Sequence, residues 1–576
     1  MKEKRINHKF ISHKRNDIEV ILPDGRIISS TSGATIGELF SLLDGWEGAP
    51  IVGAVVNGNL RELSYKIAQD CNVSPINMTT SDGSKIYRRS LTFLIETAFY
   101  ELFPNVFLEI DHSVPNGGYY CKVNGRTPLS NPEISELEEH MLKLVKADLP
   151  INKERVSLDE AISYFEKKKY SDKLRLLKYR KKPYLVLYRL NDHKDYHHGY
   201  MVPSTAYLST FKLIKSGDGF ILQYPRRKTP HTLRPMPKYG KLLDIFRQYG
   251  SWLESLDIDS VASLNDSIKN KSIREVILVS EALHEQKISQ IASLIKSKID
   301  KLRIVLIAGP TSSGKTTFSK RLAIQLLTHG ISPFALEMDN YFVERDKTPQ
   351  DEEGNKNFEA FDAVDSKLME KHLKHLLEGK EVTLPRYNFK TGLRERGDTI
   401  KIGKNQIILI EGIHGLNPRL LAEIDRSNKF LVYVSCLTQL NLDHYNRIST
   451  TDTRLLRRII RDTRTRGYSA QKTIQMWESV RRGEREYIFP HQENADEIFN
   501  SALVYELAAL KTYAEPLLRQ IPHGTEEFLE AKRLLAFLDW FLPVDEKLIP
   551  DNSILREFVG GSILSEFNLW KNSPIL

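Results

Sequence analysis

Short apolar runs in the C-terminal half of the chain predict buried parallel strands. Ile304 to Ala308 contains no polar residue, and Phe334 to Met338 and Ile407 to Ile410 are further segments of strand length. Segments with helical character separate these runs. The alternation predicts an α/β domain with a doubly wound parallel sheet, in which ligands bind beyond the carboxyl ends of the strands.

The N-terminal pattern is different and predicts a small β-rich unit. Ile18 to Leu22 alternates and runs into a Pro-Asp-Gly turn, and Ile51 to Val56 ends in the tight-turn pair Asn57-Gly58. Between them, Thr35 and Glu38 have capping-box spacing ahead of an apolar stretch, which predicts a short helix.

Between these two regions, the pattern is typical of a linker followed by helices. Pro225 to Pro237 is rich in proline, and the segments 276–283 and 288–295 have helical periodicity. The tail after about Pro516 is mostly helical in pattern and carries no chemical motif.

Composition and charge restrict the class of protein. A chain of 576 residues with 41% hydrophobic and 27% charged residues predicts two to four folded domains. No apolar run is long enough for a membrane span, and the basic segment Met1 to Phe10 lacks the apolar core of a secretory signal. Three scattered cysteines fit a reducing compartment, so we expect a cytoplasmic protein. The net charge of +9 permits nucleic acid binding without requiring it.

The clearest chemical motif runs from Gly309 to Thr316 and fits G-x-x-x-x-G-K-[ST] directly after a predicted strand. In such a phosphate loop, backbone N–H groups wrap a polyphosphate, the lysine neutralises its oxygens, and the last hydroxyl can bind Mg²⁺. ATP and Mg²⁺ are therefore the expected ligands, and the residues predicted to bind ATP are Gly309, Ser312, Ser313, Gly314, Lys315, Thr316 and Thr317.

Two carboxylates follow predicted strands. Asp339 comes after the second strand, where it can accept a hydroxyl proton, and a helix N-cap is the alternative role. Glu411 ends the strand that starts at Ile407, where it can join Thr316 in the metal shell.

Many arginines follow Asp452. On a helix, Arg454, Arg457, Arg458 and Arg461 share one face, which could close over a transferring phosphoryl group. A solvated or RNA-binding face is the alternative.

Taken in order, these segments resemble the uridine/cytidine kinase and phosphoribulokinase family. The motifs are the phosphate loop, Asp339, Asn357-Phe-Glu-Ala-Phe-Asp362, Leu384-Pro-Arg-Tyr-Asn-Phe-Lys-Thr391, Glu411-Gly-Ile413, Asp452-Thr-Arg-Leu-Leu-Arg-Arg458 and Arg466-Gly467. The resemblance implies that Asp339 is the general base for an acceptor 5′-hydroxyl, that Lys315 and Arg466 stabilise phosphate charge, and that Tyr387 packs on a nucleobase. The implied substrate-binding residues are Asp339, Tyr341, Glu359, Tyr387, Arg454 and Arg458.

Two positions depart from that family. Glu359 stands where an Asp grips the ribose hydroxyls, and Gly392 stands where a His reads the base. Without that imidazole, a pyrimidine edge loses a polar partner, so the nature of the base stays open.

The front of the chain resembles two other modules. Leu22-Pro-Asp-Gly25 and the Val56-Asn-Gly58 turn are similar to the TGS domain, a β-grasp module. Later segments, including Asn116 to Tyr120 and Asp195 to Pro203, resemble the α+β editing domain of threonyl-tRNA synthetase. That family's editing site uses an H-x-x-x-H pair and a later Cys and His, and these positions align with Arg89, Phe93, His197 and Met201. We therefore predict no editing activity and a structural or surface role for His197 and His198.

These observations predict an ATP- and Mg²⁺-dependent nucleoside kinase with five segments: a TGS-like domain (15–70), a degenerate editing-like domain (75–225), a linker with helices (226–300), a phosphate-loop kinase domain (301–515) and a helical tail (516–576). The acceptor could instead be another small alcohol. A rival from a different class is an RNA- or ribosome-associated protein in which nucleotide hydrolysis switches conformation. The sequence leaves open RNA contact by the front domains and assembly into a homo-oligomer, and it predicts no membrane contact.

Overall fold

The computed structural model describes residues 17–43, 48–237, 239–403 and 406–567. The basic N-terminal segment discussed above and the last residues of the tail lie outside these ranges. Among the helices described, none combines the length and apolar character needed to cross a membrane.

The first unit is a mixed five-stranded sheet with one short helix. Its strand order is β2-β1-β5-β3-β4, and β1 pairs with β5 in parallel. The predicted capping box is confirmed, because the Thr35 side chain accepts from the backbone N–H of Glu38 and the Glu38 carboxylate accepts from that of Thr35. The elements are β1 (Asp17–Ile21), β2 (Ile27–Thr31), α1 (Ile36–Phe40), β3 (Ile51–Val56), β4 (Asn59–Arg61) and β5 (Cys71–Asn77).

The second region is α+β. A long helix, α2, packs beside α3 and two antiparallel sheets, one of order β10-β9-β8 and the other of order β11-β12-β7-β6. The elements are α2 (Ser81–Leu102), β6 (Phe107–Val114), β7 (Gly118–Asn124), α3 (Asn131–Lys146), β8 (Asn152–Ser157), α4 (Leu158–Lys168), α5 (Ser171–Leu177), β9 (Tyr184–Leu190), β10 (His193–Asp195), β11 (Lys212–Ser216) and β12 (Gly219–Gln223).

Three helices join this region to the next: α6 (Gly240–Ser255), α7 (Val261–Lys269) and α8 (Ile273–Lys296). The third region is built on a parallel five-stranded sheet of order β14-β17-β13-β18-β19. Its elements are β13 (Ile304–Ala308), α9 (Lys315–Thr328), β14 (Ser332–Glu337), α10 (Ser366–Leu377), β15 (Val382–Asn388), β16 (Leu393–Ile400), β17 (Gln406–Glu411), β18 (Lys429–Ser435), α11 (Thr450–Arg466), α12 (Ala470–Gly483), β19 (Glu497–Asn500) and α13 (Glu506–Arg519).

This sheet confirms the predicted fold class. The apolar runs that start at Ile304 and Ile407 are buried neighbouring strands, and β14 ends one residue before Met338, which opens a 3-10 turn. Continuous apolar runs are expected here because a parallel sheet is covered on both faces.

The tail packs onto this third region. It contains α14 (Glu526–Leu538) and α15 (Arg556–Val559), and α13 passes through residue 515, where the sequence placed a domain boundary. Phe558 of α15 shares an apolar core with Phe318 and Leu322 of α9, so the tail reaches the helix that follows the phosphate loop.

Candidate active site

The loop from Gly309 to Thr316 connects β13 to α9 and needs glycine at two positions for different reasons. A Cβ at Gly309 would lie 2.0 Å from the carbonyl oxygen of Val434, so no side chain fits there. Gly314 has a φ of +87°, a left-handed conformation that glycine adopts without strain. These positions hold the loop close against β18 and turn it into the N-terminus of α9.

The polar groups of this loop fit a polyphosphate. The hydroxyls of Ser312 and Ser313 are buried and have no hydrogen-bond partner among the described residues. Lys315 Nζ donates to the carbonyl of Pro310 at 3.1 Å. Burial lowers the pKa of Lys315, while the carboxylates of Glu411, Glu557 and Asp339 raise it. Donors held at a helix N-terminus can bind phosphate oxygens.

The Thr316 hydroxyl contacts the Glu411 carboxylate at the carboxyl ends of the parallel strands. Thr316 Oγ1 donates to Glu411 Oε1 at 2.8 Å, and Thr316 is exposed. Burial raises the pKa of Glu411 to about 7, against the opposing effect of the Lys315 charge. Hard oxygen ligands of this kind suit Mg²⁺, so these two residues fit the predicted metal site.

Asp339 lies in the 3-10 turn directly after β14 and is exposed at the carboxyl end of the sheet, the side that we call the active-site cleft. Desolvation by the surrounding protein raises its pKa, Lys315 and Arg466 act in the opposite direction, and Glu337 adds to the increase. Its side chain therefore lies within electrostatic range of the predicted lysine and of the arginine at the end of α11. The sequence predicted these three groups in one site, and they lie near one another in the fold.

Arg454, Arg457 and Arg458 of α11 are buried, which contradicts the alternative of a solvated face for these three. Arg454 and Arg457 are at most 1% exposed and form ion pairs with Glu484 and Glu506. Arg454 Nε also donates to the carbonyl of Thr311 at 3.0 Å, and Arg457 donates to that of Ser312 at 3.4 Å. These two arginines thus fix the backbone of the phosphate loop through its carbonyl groups.

Asp462 pairs with three further arginines of α11 and was missed by the sequence analysis. This carboxylate is fully buried and lies 3.1 Å from Arg458 Nε, 3.1 Å from Arg461 and 3.4 Å from Arg466. The Arg466 side chain stays 49% exposed, so it is free to approach a ligand in the cleft. Its i−4 spacing from Arg466 was the available sequence signal.

The residues predicted to bind the phosphoryl acceptor lie in different environments. Glu359 packs against Gly483, one of its oxygens is buried without a partner, and burial raises its pKa to about 7. Tyr387 is buried against Phe342 and Phe389. Tyr341 is buried in the core, and its hydroxyl lies 3.2 Å from His372 of α10, away from Asp339.

Gly392 lies at the turn between β15 and β16 and has a φ of +77°. A Cβ there would lie 2.7 Å from side-chain atoms of Arg345, and the backbone N–H of Arg345 donates to the Gly392 carbonyl at 2.9 Å. The Arg345 side chain therefore packs against Gly392, and its guanidinium donates to the Phe389 carbonyl. No sequence signal indicated this contact, because the two residues are distant in the chain.

Glu557 of α15 is a second residue that the sequence analysis missed. Its carboxylate accepts from the Thr317 backbone N–H at 3.1 Å and from the Thr317 hydroxyl at 2.9 Å. The tail thus caps the helix that follows the phosphate loop with an acidic group. No local pattern could reveal this contact, since 240 residues separate the partners.

In the second region, His197 has a structural environment. Its Nε2 lies 2.9 Å from Glu96, whose other oxygen is 2.6 Å from His193 Nε2. Glu96, His193 and Asp195 form a buried group of metal-ligand type, but Lys173 Nζ lies 2.7 Å from Asp195 and supplies a positive charge there. The sequence analysis did not identify this group, because none of its three residues stands at a position aligned with the editing site.

Two regions of the chain match different groups of known proteins. The model of the phosphoribulokinase/uridine kinase family matches residues 304–508. The N-terminal region matches threonine–tRNA ligases. That of Marinobacter nauticus is 31% identical over 202 residues, which are 35% of this chain and 31% of the ligase. That of Thermotoga maritima is 32% identical over 207 residues, again 35% of this chain and 31% of the ligase.

The chain therefore spans about a third of the length of these ligases. Among solved structures, a possible uridine kinase from Bacillus stearothermophilus is similar to 37% of this chain and 98% of its own, with 20% identity and a TM-score of 0.27.

Proposed function

We propose, from the premise that residues 304–508 form a domain of the phosphoribulokinase/uridine kinase family, that this protein is an ATP-dependent nucleoside kinase. It would transfer the γ-phosphoryl group of ATP to the 5′-hydroxyl of a nucleoside. The observation that carries the proposal is that Asp339, Lys315 and the Thr316–Glu411 pair lie together at the carboxyl ends of β13, β14 and β17.

Each of these groups has a role in phosphoryl transfer. Asp339 accepts the proton of the acceptor hydroxyl, because it is accessible from the cleft and its raised pKa makes it a better base than an ordinary Asp. Lys315 holds the transferring phosphate by charge. Arg466, tethered by Asp462 yet half exposed, closes over the developing negative charge.

ATP would be held by the hydroxyls of Ser312 and Ser313, which have no partner among the described residues, and by the backbone N–H groups at the N-terminus of α9. Thr316 and Glu411 would hold Mg²⁺, which supplies charge neutralisation between the phosphates when bound. Glu411 must be ionised to bind the metal. Lys315, which lowers the pKa of Glu411, helps to keep it ionised.

The acceptor is proposed to carry a flat ring. Phe358 and Phe389 are large aromatic side chains with exposed fractions of 36% and 58%, and both rings lie within about 6 Å of the buried Phe342 ring. Aromatic faces of this kind can stack on a nucleobase. Glu359, with its unpartnered oxygen, would accept from the ribose hydroxyls. The arrangement gives no reason to favour a pyrimidine, because Gly392 has no side chain to read the base and the neighbouring Arg345 guanidinium donates to the Phe389 carbonyl.

The test is ADP release by the full chain with ATP and Mg²⁺ against a panel of purine and pyrimidine nucleosides, ribose and other small alcohols. Lys315→Ala is the inactive control. Release that depends on a nucleoside, with a new monophosphate detected by mass spectrometry, would support the proposal. Release only with a non-nucleoside alcohol would replace the acceptor, and release without any acceptor would favour a nucleotide switch.

RNA contact by the front domains is a second proposal, supported by the similarity of the N-terminal region to tRNA ligases. We propose that these domains bind RNA without editing it, since no imidazole pair or thiol stands at the aligned positions. Filter binding of tRNA at two salt concentrations tests the contact, and hydrolysis of mischarged tRNA would refute the absence of editing. We also propose a cytoplasmic location, on the ground that Cys71, Cys121 and Cys436 are free and buried.

A further inference from the structure

A basic cavity lies where three parts of the chain meet, away from the phosphate loop. It has a volume of about 160 Å³ and is bordered by α2, by the segment that leads into α11, and by α14. Five cationic side chains and one carboxylate, Asp452, line it. Two of the cations, Lys85 and Arg533, are paired with Glu530 or with Asp452.

The other three cations, Arg88, Arg89 and Arg447, have no carboxylate partner in the part of the chain that the structure describes. Arg88 donates to the carbonyl of Ser84 at 3.1 Å and lies over the Tyr224 ring. Arg89 donates to the carbonyl of Tyr200 at 2.6 Å and Arg447 to that of Ile448 at 2.7 Å. Arg447 Nε is buried and unpartnered. The three guanidinium groups repel one another, Asp452 offsets this only in part because it is paired with Arg533, and an unpaired buried donor is unfavourable.

The other polar groups of the cavity are compatible with an anion. Burial lowers the pKa of His197 and His198 to about 3, so both rings are neutral and can donate or accept a hydrogen bond. Tyr119 lies under the Arg447 guanidinium, with 5.6 Å from Cζ to the ring centroid. The space exceeds that needed for several waters, so it is large enough for a phosphate group and part of its ester.

The cavity is joined to the phosphate loop by one helix. Arg533 binds both oxygens of Asp452, at 2.8 Å each, in the first turn of α11. Two residues further along α11, Arg454 donates to the phosphate-loop carbonyl of Thr311. An anion in the cavity would repel Asp452 and compete for Arg533, and would thereby act on the start of this helix.

We propose that the cavity is a binding site for a small molecule that carries a phosphate or diphosphate group, held by Arg88, Arg89 and Arg447. Guanidinium groups bind phosphate oxygens in pairs, which a lysine cannot do. The site is distinct from the phosphate loop, and α11 couples the two. Binding itself does not depend on the nucleoside kinase activity proposed above.

The experiment is isothermal titration of inorganic pyrophosphate, without metal, into the full chain. The wild type should bind at two sites, and Lys315→Ala should keep the cavity site alone. In that background, Arg88→Gln and Arg447→Gln should each weaken binding by at least about tenfold, since each removes a charge-assisted contact. Arg126→Gln, on the same region and outside the cavity, is the matched control. Circular dichroism checks that each variant is folded.

One variant has the opposite expected sign. Asp452→Asn removes the cavity's carboxylate charge and leaves Arg533 paired with Glu530 alone, so in the Lys315→Ala background it should tighten pyrophosphate binding several-fold. The proposal is overturned if the Lys315→Ala protein binds no pyrophosphate, or if the cavity variants bind as the control does. A nucleoside monophosphate should displace pyrophosphate from the cavity. Displacement by a short RNA alone would identify a polymer ligand and overturn the small-molecule assignment.

Discussion

At the scale of single residues, Asp339 is the group on which the proposed chemistry depends most. Its carboxylate accepts no hydrogen bond from any residue that the structure describes, and it is accessible from the cleft. We expect Asp339→Asn to lower kcat by roughly 10² to 10⁴ with little change in the KM for ATP, because it removes proton acceptance and leaves the phosphate loop intact. Steady-state kinetics with the acceptor found in the panel measures this.

Asp398→Asn, on the exposed surface of β16, is the control and should behave as the wild type. Full turnover by Asp339→Asn would refute the assignment of the base. A large rise in the KM for ATP would instead indicate that Asp339 shapes the nucleotide site.

A second residue-scale prediction concerns His284 of α8, which is 1% exposed and lies 3.2 Å from the carbonyl oxygen of Ala502. Burial lowers its pKa to about 3, helped by the charge of Arg321. An unfolded histidine titrates near 6.5, so below that pH the unfolded chain binds more protons than the folded one. The contribution of neutral His284 to the free energy of unfolding is therefore fully present above pH 6.5 and is lost as the pH falls toward 3.

At pH 5 this residue costs the folded state about 2 kcal/mol relative to pH 7. His284→Gln removes that titration, so its thermal midpoint should fall less between pH 7 and pH 5 than that of the wild type. His231→Gln, at an exposed position, should keep the wild-type response. Identical pH responses of the wild type and His284→Gln would contradict the prediction.

At the scale of secondary-structure elements, α15 carries a carboxylate to the helix that follows the phosphate loop. Glu557 occupies both polar groups of Thr317, and its charge raises the pKa of Glu411. Both donors belong to the region that would hold the phosphates of ATP, so the carboxylate and the nucleotide compete for them. We expect Glu557→Gln to bind ATP about fivefold or more tightly, since a negative charge close to the polyphosphate is removed.

Titration calorimetry with ATP and Mg²⁺ tests this. Glu566→Gln, exposed in the same tail, is the matched control and should bind ATP as the wild type does. Unchanged or weaker binding by Glu557→Gln would show that the carboxylate supports the loop without competing for its donors.

The same elements show what the sequence could and could not predict. The strands at Ile304 and Ile407 and the cap at Thr35 were predictable, because apolar runs and capping spacing are local signals. The environment of Tyr341 was not, since its neighbour Asp339 faces the cleft while its own ring turns into the core. Contacts such as Glu557 with Thr317 depend on chain paths that no local pattern encodes.

At the scale of the whole molecule, the parallel-sheet region has an apolar core on each face of its sheet, but α11, α13 and the tail share a further core with the front of the chain. One continuous apolar core includes residues from the second region, the joining helices, the parallel-sheet region and the tail, among them Phe165, Leu187, Val261, Leu455 and Leu534. Polar contacts reinforce it. Lys173 lies 2.7 Å from Asp195 and 3.4 Å from Asp443, and all three side chains are buried.

The segment before α11 is held by backbone contacts with the second region. The Ile110 N–H donates to the His444 carbonyl at 2.8 Å, and Asn441 Nδ2 donates to the carbonyls of Ile110 and Asp111. Asn446 Nδ2 donates to the Tyr196 carbonyl at 3.0 Å. The second region thus fixes the backbone of the segment that leads into α11.

We therefore expect a fragment of residues 301–576 to fold poorly, although it contains every residue of the proposed active site. Removing the second region exposes the apolar faces of α11, α13 and α14 and leaves Asp443 without Lys173, so the fragment should aggregate and bind a hydrophobic dye. Soluble yield and the thermal midpoint measure this. A fragment that lacks only residues 1–77 is the matched control, because most apolar residues of the first unit form a separate core and only Ala49 and Val52 join that of the second region.

That control should stay soluble with a modest loss in thermal midpoint, since it keeps the shared core and loses peripheral contacts such as the Lys153–Glu62 ion pair. A soluble, active fragment of residues 301–576 would show that the shared core is dispensable and that the front regions are appended modules. If it fails while the control folds, the second region together with the joining helices belongs to the same structural unit as the parallel sheet, and ligands in the basic cavity have a direct physical route to the phosphate loop through α11.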